Sequence, residues 1–252
     1  MNTADTGKAK QDEELAGAPR GWLNRTVGGA GLTFLLLVRD PEHTPNPALK
    51  FFATLRGLPL RFRRYLGAVG LFGAGDFSHS LLILATTQLL TPSLGVVQAA
   101  QVAGLLYVGR NLVQVLLSYP IGALADRYGE LGVLVLGYLM GVLTALFTAL
   151  AFVLGANGMM LVILLGAIFF LAGLYVAVQE ALEASVTAGM VEQGVRGVGY
   201  GALGTINGVT KFVSSAGVGL LWTAVSPAVG FGLAALLMTA GTLALARLRG
   251  DG

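Results

Sequence analysis

Six long, continuous apolar stretches constrain the fold of this chain more than any other feature. Each is long enough to cross the hydrocarbon core of a bilayer as a helix, which needs about 20 mostly apolar residues. None alternates polar and apolar residues over about ten positions, as the strands of a membrane barrel do. The sequence therefore predicts an all-α membrane protein with six transmembrane helices. The stretches cover approximately residues 65–90, 99–122, 131–155, 159–182, 199–224 and 227–247.

The composition agrees with a membrane protein and argues against several other classes. Only 12% of the residues are charged and the mean hydropathy is +0.75, whereas soluble domains are about 25% charged. The chain has no cysteine and two histidines, and it contains no phosphate-binding glycine loop or nucleophile–base grouping. We therefore expect no metal, no cofactor and no enzymatic activity. The basic run at 56–64 is interpreted as an anchor for acidic lipids rather than as a nucleic-acid site.

The remaining residues flank the apolar block. Residues 1–26 are polar and mixed in charge, and they lack the apolar core of a signal peptide, so we expect a disordered tail. Residues 27–63 form a predicted amphipathic and basic cytoplasmic segment, whose apolar part at 27–38 is too short to span a bilayer comfortably. The transmembrane domain is assigned to 64–247 and a short cytoplasmic tail to 248–252.

Basic residues predict the orientation of the block. The connections that would face one side carry nearly all of the arginines near the spans, whereas the opposite connections, "TPSLGVVQ", "GANG" and "VSP", contain no lysine or arginine. Basic loops stay in the cytoplasm, so both ends of the block are predicted to be cytoplasmic, in the inner (plasma) membrane of the cell. An even number of spans requires the same arrangement.

The connection between the second and third spans contains the octapeptide "GALADRYG" at 122–129. Gly122 is expected to let two helix ends pack closely, and Gly129 to permit a sharp turn. Asp126 would cap the next helix or pair with a base, and Arg127 would anchor at the lipid head groups.

This octapeptide resembles a signature of the major facilitator superfamily, in which G-x-L-small-D-R-aromatic-G lies in a cytoplasmic loop. Residues 122 and 124–129 match it, whereas 130–132 lack the basic residues with which the family usually continues. The pair Arg196–Gly197, followed by a glycine-rich stretch, is similar to the family's loop between helices ten and eleven. In the family the first loop latches one conformation, which would make Gly122, Asp126, Arg127 and Gly129 a conformational latch.

The resemblance implies that the block corresponds to helices seven to twelve of a transporter, the C-terminal six-helix half, built from two inverted three-helix repeats. Residues 39–63 would correspond to the central loop, and 27–38 to the end of a sixth helix. A half of this kind implies a secondary transporter, permease or efflux protein, that moves a small solute by alternating access. It would be coupled to protons and would need a partner, either a second copy in a homodimer or a separately encoded N-terminal half.

Polar side chains inside the apolar stretches are the candidates for the transport pathway, because buried ionisable groups in membrane spans are usually functional or paired. Asp76 and His79 lie in the first span, Arg110 in the second, Lys211 in the fifth and Glu180 near the end of the fourth. Further polar residues at helical spacing are expected to line a cavity. They are Tyr107, Asn111, Gln114 and Asn207.

Two interpretations of these groups remain open. In the functional one, Asp76 and His79 form a proton relay, and Arg110 or Lys211 binds an anionic group of the solute or exchanges contacts with Asp76. In the structural one, Asp76 and Arg110 form a static ion pair and Glu180 matches Lys211. Glu183 is expected at the head groups in both.

A different function also remains open: a truncated, transport-incompetent fragment of this family, or a membrane scaffold or assembly protein. The degraded second half of the octapeptide and the short apolar stretch at 27–38 favour this alternative.

The third span also carries small residues at helical spacing, Gly137, Gly141, Ala145 and Ala149, which predict a close helix-packing seam.

Overall fold

A computed structural model describes residues 57–155 and 157–250, together with Thr54. These residues belong to one compact unit, Leu49–Gly252. The predicted disordered tail, the stretch at 27–38 and most of the basic segment lie outside the described residues. The described part is helical and contains no strand. Its elements are α1 (Leu60–Gly73), α2 (His79–Leu94), α3 (Val96–Tyr128), α4 (Glu130–Val153), α5 (Gly158–Met190), a 3₁₀ turn (Gln193–Val195), α6 (Arg196–Ala224) and α7 (Pro227–Gly250).

Of the seven helices in the described residues, four, namely α3, α4, α5 and α7, are long and apolar enough to cross a membrane. The helices α1 and α2 have 14 and 16 residues, fewer than the roughly 20 that a crossing needs. The helix α6 has 29 residues, but its glycines, its hydroxyl and amide side chains and Lys211 lower its hydropathy. The fold is that of a helical, multi-pass membrane protein.

The first predicted span is broken into two helices, so the prediction of one continuous helix over 65–90 was wrong. The helix α1 ends at Gly73, and α2 begins after Ser78, whose Oγ accepts a hydrogen bond from the amide of Ser80. A Cβ atom on Gly75 would lie 2.3 Å from the carbonyl oxygen of Ala234 in α7. The unwound residues therefore pack directly on a neighbouring helix backbone, which a continuous helix with side chains could not do.

Single glycines form two of the sharpest connections. Gly95 joins α2 to α3 with φ 76°, and Gly129 joins α3 to α4 with φ 88°, a left-handed conformation that glycine adopts without strain. The turn predicted at Gly129 is therefore present, but the rest of the octapeptide is helical and forms the last two turns of α3. A Cβ atom on Gly122 would meet no atom within 4 Å, so the close packing expected there is not found among the described helices.

The centre of the bundle is the small-residue seam of α4. A Cβ on Gly137 would lie 2.3 Å from the Val178 side chain of α5, and one on Gly141 would lie 2.8 Å from the Met238 side chain of α7. The ring of Tyr138 stacks on Phe72 of α1, with 3.7 Å between the ring centroids. The predicted packing seam is thus confirmed, and it brings α4 against α1, α5 and α7.

Two helix faces remain open in the described part of the chain. Only 11% of the most apolar window of α3 is buried, compared with 56% for α4 and α5. The exposed side chains of α3 include Leu105 and Val115. On α6, Cβ atoms at Gly204 and Gly208 would meet nothing within 4 Å. These faces of α3 and α6 therefore have no helix packed against them within the described residues.

Arginines gather at one end of the bundle. Arg61 at the start of α1, the turn at 128–132, the end of α5 and Arg249 at the end of α7 together line a pocket of about 330 Å³. We call this the basic end. The opposite connections, at Gly95, at 154–157 and at 225–226, contain no lysine or arginine.

Candidate functional site

A polar cavity of about 490 Å³ lies between the break in the first span and helices α3, α5 and α6. Its walls contain one apolar side chain, Val176, in a bundle whose core is otherwise largely apolar. The structure places all nine sequence candidates around this cavity, together with three residues that were not candidates. The lining residues are Asp76, His79, Tyr107, Arg110, Asn111, Gln114, Val176, Gln179, Glu180, Glu183, Asn207 and Lys211.

Asp76 and Lys211 form an ion pair across the cavity wall. Asp76 lies in the unwound segment between α1 and α2 and is only 4% exposed, and its Oδ2 atom lies 3.1 Å from Nζ of Lys211 in α6. One turn further along α6, the Oγ atom of Ser215 accepts a hydrogen bond of 2.9 Å from the amide of Ser78. The break in the first span is therefore held against α6 by one ionic and one neutral contact.

Arg110 is buried and is bonded to neutral groups. It is 5% exposed, its Nη1 donates to Asn111 Oδ1 and Gln114 Oε1 at 2.6 Å each, and its Nη2 lies 3.0 Å from Nε2 of His79. A guanidinium can only donate, so Nε2 of His79 is the acceptor in this contact. The static pair of Asp76 with Arg110 that the sequence left open is not formed.

The position of Arg110 depends on a close approach of α3 and α5. A Cβ atom on Gly173 of α5 would lie 2.7 Å from the carbonyl oxygen of Arg110 and 2.9 Å from Val113. The guanidinium carbon also lies 5.8 Å from the centroid of the Tyr107 ring, within the range of a cation–π contact. Gly173 therefore allows the backbone of α3 at Arg110 to approach α5, and the Tyr107 ring packs beside the guanidinium.

Gln114 connects the cation to a carboxylate. Its Oε1 accepts from Arg110, and its Nε2 donates to Oε2 of Glu180 at 2.5 Å. Glu180 is exposed at the rim of the cavity and makes no contact with Lys211 within salt-bridge distance. The pairing of Lys211 with Glu180 that the structural interpretation offered is therefore not formed, and the contact between Arg110 and Glu180 runs through the amide of Gln114.

Glu183 was expected at the head groups, and the structure contradicts this. It is only 4% exposed; its Oε1 accepts from the hydroxyl of Tyr138 and its Oε2 from Nδ2 of Asn207, both at 2.6 Å. The reason is that α5 continues to Met190, so Glu183 still lies inside the bundle. A position three residues after Glu180, on the same helix face, was the signal that could have identified it.

Within the part of the chain that the structure describes, the cavity thus holds one ion pair, Asp76 with Lys211, and two buried ionisable groups, Arg110 and Glu183, with no salt bridge. The two terminal nitrogens of Arg110 contact neutral groups, whereas its buried Nε has no partner among the described residues, and Glu183, on another wall, accepts from neutral donors. A buried charge without a counter-ion costs several kcal/mol unless hydrogen bonds or a ligand compensate it. The arrangement can bind a polar or charged solute and can hold a proton on a carboxylate. Among the described residues no cluster of histidine and acidic side chains is arranged to hold a metal ion.

The four residues of the candidate latch lie at the basic end, away from the cavity. Asp126 and Arg127 are exposed, and the guanidinium of Arg127 lies 5.4 Å from the centroid of the Tyr128 ring. Just beyond Gly129, a carboxylate oxygen of Glu130 accepts a hydrogen bond from the hydroxyl of Ser185 in α5. This contact ties the start of α4 to α5.

Comparison with known proteins shows similarity to a distant relative. No protein-family model matches the chain. The chain is 23% identical over 205 residues to an uncharacterised MFS-type transporter of Methanocaldococcus jannaschii, and the match covers 81% of this chain. The match supports membership of the major facilitator superfamily. It covers 49% of the relative, so this chain spans about half the length of the curated protein that it matches.

Proposed function

We propose that this chain is a six-span half of a secondary transporter, which moves a small solute through the polar cavity by alternating access. The observation that carries the proposal is the position of the cavity at a break in a membrane helix. Transporter binding sites are commonly formed by discontinuous helices, whose unwound backbone and half-helix ends face the substrate near the middle of the membrane. The relative named as a transporter supports the same function.

Six crossings require that α1 and α2 cross together and that α6 crosses as well. The 29 residues of α6 extend roughly 40 Å, more than the hydrocarbon thickness. The packing pairs also support two inverted three-helix repeats, the first from α1 to α4 and the second from α5 to α7. The middle helix of each repeat packs on the first helix of the other repeat: α3 on α5, and α6 on α1. The last helix of each repeat does the same: α4 packs on α5, and α7 on α1.

We assign the basic end of the bundle to the cytoplasm and the protein to the inner membrane. The arginines at the ends of α1, α3 and α7 meet there, and the three opposite connections have none. This is the asymmetry that the positive-inside rule associates with cytoplasmic loops.

A second bundle would complete the pathway by packing on the open faces of α3 and α6. Exposed apolar side chains on α3 and the Gly204–Gly208 spacing on α6 suit close contact between membrane helices. The half-length match to the relative agrees with this. The second bundle is another copy of this chain or a separately encoded N-terminal half.

In the proposed cycle, Asp76 carries the coupling proton. Protonation of Asp76 removes the charge that holds Lys211, so the contact between the broken span and α6 weakens and α6 becomes free to move. Arg110, whose partners are neutral, receives an anionic group of the solute. His79 is hydrogen-bonded to Arg110 and lies close to Asp76 in sequence. It therefore links the protonation of Asp76 to the binding of the solute at Arg110.

The experiment is a solute screen with the full-length chain in proteoliposomes that contain a pH-sensitive dye. Wild-type protein is expected to move protons when an accepted solute is added. Asp76→Asn is expected to abolish that proton movement while solute exchange continues, because the binding wall remains. Glu192→Gln, which alters an exposed acid outside the cavity, is the matched control.

Unchanged proton coupling in Asp76→Asn would reject the role of Asp76. If no solute moves, whether the chain is reconstituted alone or with a co-purifying six-span partner, the alternative of a transport-incompetent fragment or a membrane scaffold is supported instead.

A further inference from the structure

Two charged groups of opposite sign in the polar cavity keep unused hydrogen-bonding capacity, Arg110 on α3 and Glu180 on α5. The other charged groups of the cavity are already matched or bonded. Asp76 pairs with Lys211 at 3.1 Å, and both carboxylate oxygens of Glu183 accept hydrogen bonds from donors of the protein. Within the described residues, a solute that enters the cavity therefore meets Arg110 and Glu180 as its open charged partners.

Arg110 has two N–H groups to spare. A guanidinium carries five N–H donors, and three contacts are made: Nη1 donates to Asn111 and Gln114, and Nη2 contacts His79. The Nε atom is buried and has no hydrogen-bond partner among the described residues. A buried donor without an acceptor is unfavourable, so an oxyanion bonded to Nε and to the second hydrogen of Nη2 supplies the missing acceptors. Adjacent N–H groups of a guanidinium match the two oxygens of a carboxylate.

Glu180 keeps one carboxylate oxygen free. Its Oε2 accepts from Nε2 of Gln114 at 2.5 Å, whereas its Oε1 has no partner within the part of the chain that the structure describes. The same amide of Gln114 accepts from Arg110 at 2.6 Å. Because the oxygen and the nitrogen of an amide lie about 2.3 Å apart, Nη1 of Arg110 and Oε2 of Glu180 are no more than about 7.5 Å apart. The open cation and the open carboxylate are therefore within reach of one small molecule.

We propose that the solute bound in this cavity is a small zwitterion of the amino-acid type, with its carboxylate on Arg110 and its ammonium group on Glu180. This inference rests on the proposed function and adds the class of solute to it. A simple anion would bring a second negative charge close to Glu180, and a simple cation would bring a second positive charge close to Arg110. A solute that carries both charges satisfies both groups.

The size and the polarity of the cavity agree with a short, hydrophilic solute. Its volume of about 490 Å³ lies at the lower end of the range for small-molecule sites. Val176 is the one apolar side chain among the described residues that line it, and the remaining walls include Tyr107, Asn111 and Gln179. A bulky hydrophobic solute would find little apolar surface to contact, whereas a spacer of a few carbon atoms between two charged groups needs little.

The test measures the binding of defined probes to the full-length chain in detergent by isothermal titration calorimetry. The zwitterions are glycine, β-alanine and γ-aminobutyrate. Each is compared with the anion that lacks its amino group (acetate, propionate or butyrate) and with the cation that lacks its carboxylate (methylamine, ethylamine or propylamine). At least one zwitterion is expected to bind at least about tenfold more tightly than both of its analogues, since each analogue loses one charge-assisted hydrogen bond.

Variants assign the two ends of the solute. Glu180→Gln keeps an oxygen that accepts from Gln114 and removes the charge, so the preference for the zwitterion over its anion should disappear. Arg110→Gln should weaken the binding of both the zwitterion and the anion at least about tenfold. Glu192→Gln, which alters an exposed acid outside the cavity, is the matched control and should bind as the wild type does.

Unfolding midpoints measured without a probe check that each variant folds. If Arg110→Gln does not fold, Arg110→Lys replaces it, because lysine keeps the charge and loses the planar fork that holds a carboxylate. The same loss of affinity for zwitterion and anion is expected.

The proposal would be overturned if no zwitterion bound, or if every zwitterion bound no better than its anion. An unchanged preference for the zwitterion in folded Glu180→Gln would also overturn it, because the ammonium group would then lie elsewhere. These outcomes are separate from transport. Binding of a zwitterion by a chain that moves no solute would reject the proposed function alone, and transport of a solute with a single charge would reject the zwitterion alone.

Discussion

The ammonium group of Lys211 lies 3.1 Å from a carboxylate oxygen of Asp76, although the aspartate belongs to an unwound segment and the lysine to a continuous helix. The pair is the ionic link between the two walls of the cavity that are formed by the first span and by α6. It also explains why an acid can remain almost completely buried there.

The first prediction concerns the energy of this pair. Asp76→Asn and Lys211→Met should each destabilise the bundle, because each leaves one charge without its partner. The double variant should lose less than the sum of the two, with a coupling of about 0.5–3 kcal/mol. Thermal unfolding of the four proteins in detergent measures this. Additive losses would mean that the two charges do not interact.

The second prediction concerns the hydroxyl group that holds Glu183. Tyr138→Phe keeps the ring stacked on Phe72 and removes only the donor to the carboxylate, so it should cost about 1–3 kcal/mol, as expected for an unsatisfied buried group. Tyr119→Phe, at an exposed position of α3, is the control and should have no measurable effect. Equal stability of the two variants would show that Glu183 does not need the hydroxyl of Tyr138.

The third prediction concerns the contact between α7 and α1. Gly241→Ala would place a Cβ against the backbone of Phe72 and should destabilise the protein by about 1–3 kcal/mol, as overpacking does. Gly232→Ala lies on the same helix with open space around it, and should be neutral or slightly stabilising because alanine favours helices. The test compares the unfolding midpoints of the two variants. A lower midpoint for Gly232→Ala than for Gly241→Ala would contradict the close contact between α7 and α1.

The fourth prediction concerns water in the cavity. The chain has no cysteine, so Gln179→Cys and Asn207→Cys each introduce a single thiol on the cavity wall. Both should react with a membrane-impermeant thiosulfonate at least about tenfold faster than Leu236→Cys, which faces outward from α7, because the reaction requires a solvated thiolate. Equally slow labelling at all three positions would mean that solvent does not reach the cavity.

The fifth prediction concerns orientation. Ser93→Cys lies beside the Gly95 turn and Asp126→Cys lies at the basic end. In intact cells an impermeant maleimide should label the first and not the second, and permeabilisation should expose both. Labelling of Asp126→Cys alone in intact cells would invert the proposed topology.

Hydropathy predicted the helical class and the approximate position of each stretch, because long apolar runs have few alternatives to a helix in a membrane. It did not predict the break in the first span. A window of about 20 residues averages over Gly73, Gly75 and Ser78, although two glycines followed by a helix-capping serine are a local signal for a helix end.

The polar wall could be predicted from helical spacing, because Tyr107, Asn111 and Gln114 share a face of α3 and lie together in the cavity. The sequence could not predict which charged residues pair with each other. Whether Asp76 meets Arg110 or Lys211 depends on how the unwound segment turns between α3 and α6, and spacing within one helix carries no information about that. Glu183 was misplaced for a related reason: α5 extends beyond its most apolar residues.

The one-residue joints at Gly95 and Gly129 have a mechanical consequence. A connection of one residue keeps the joined helix ends close together, so a shift of α3 along its axis also moves the adjoining ends of α2 and α4. The connection between α5 and α6 is longer, so the second set of helices is tethered less tightly. An axial shift of α3 would therefore reach the start of α4, and with it the small-residue seam at Gly137 and Gly141, through the single residue Gly129.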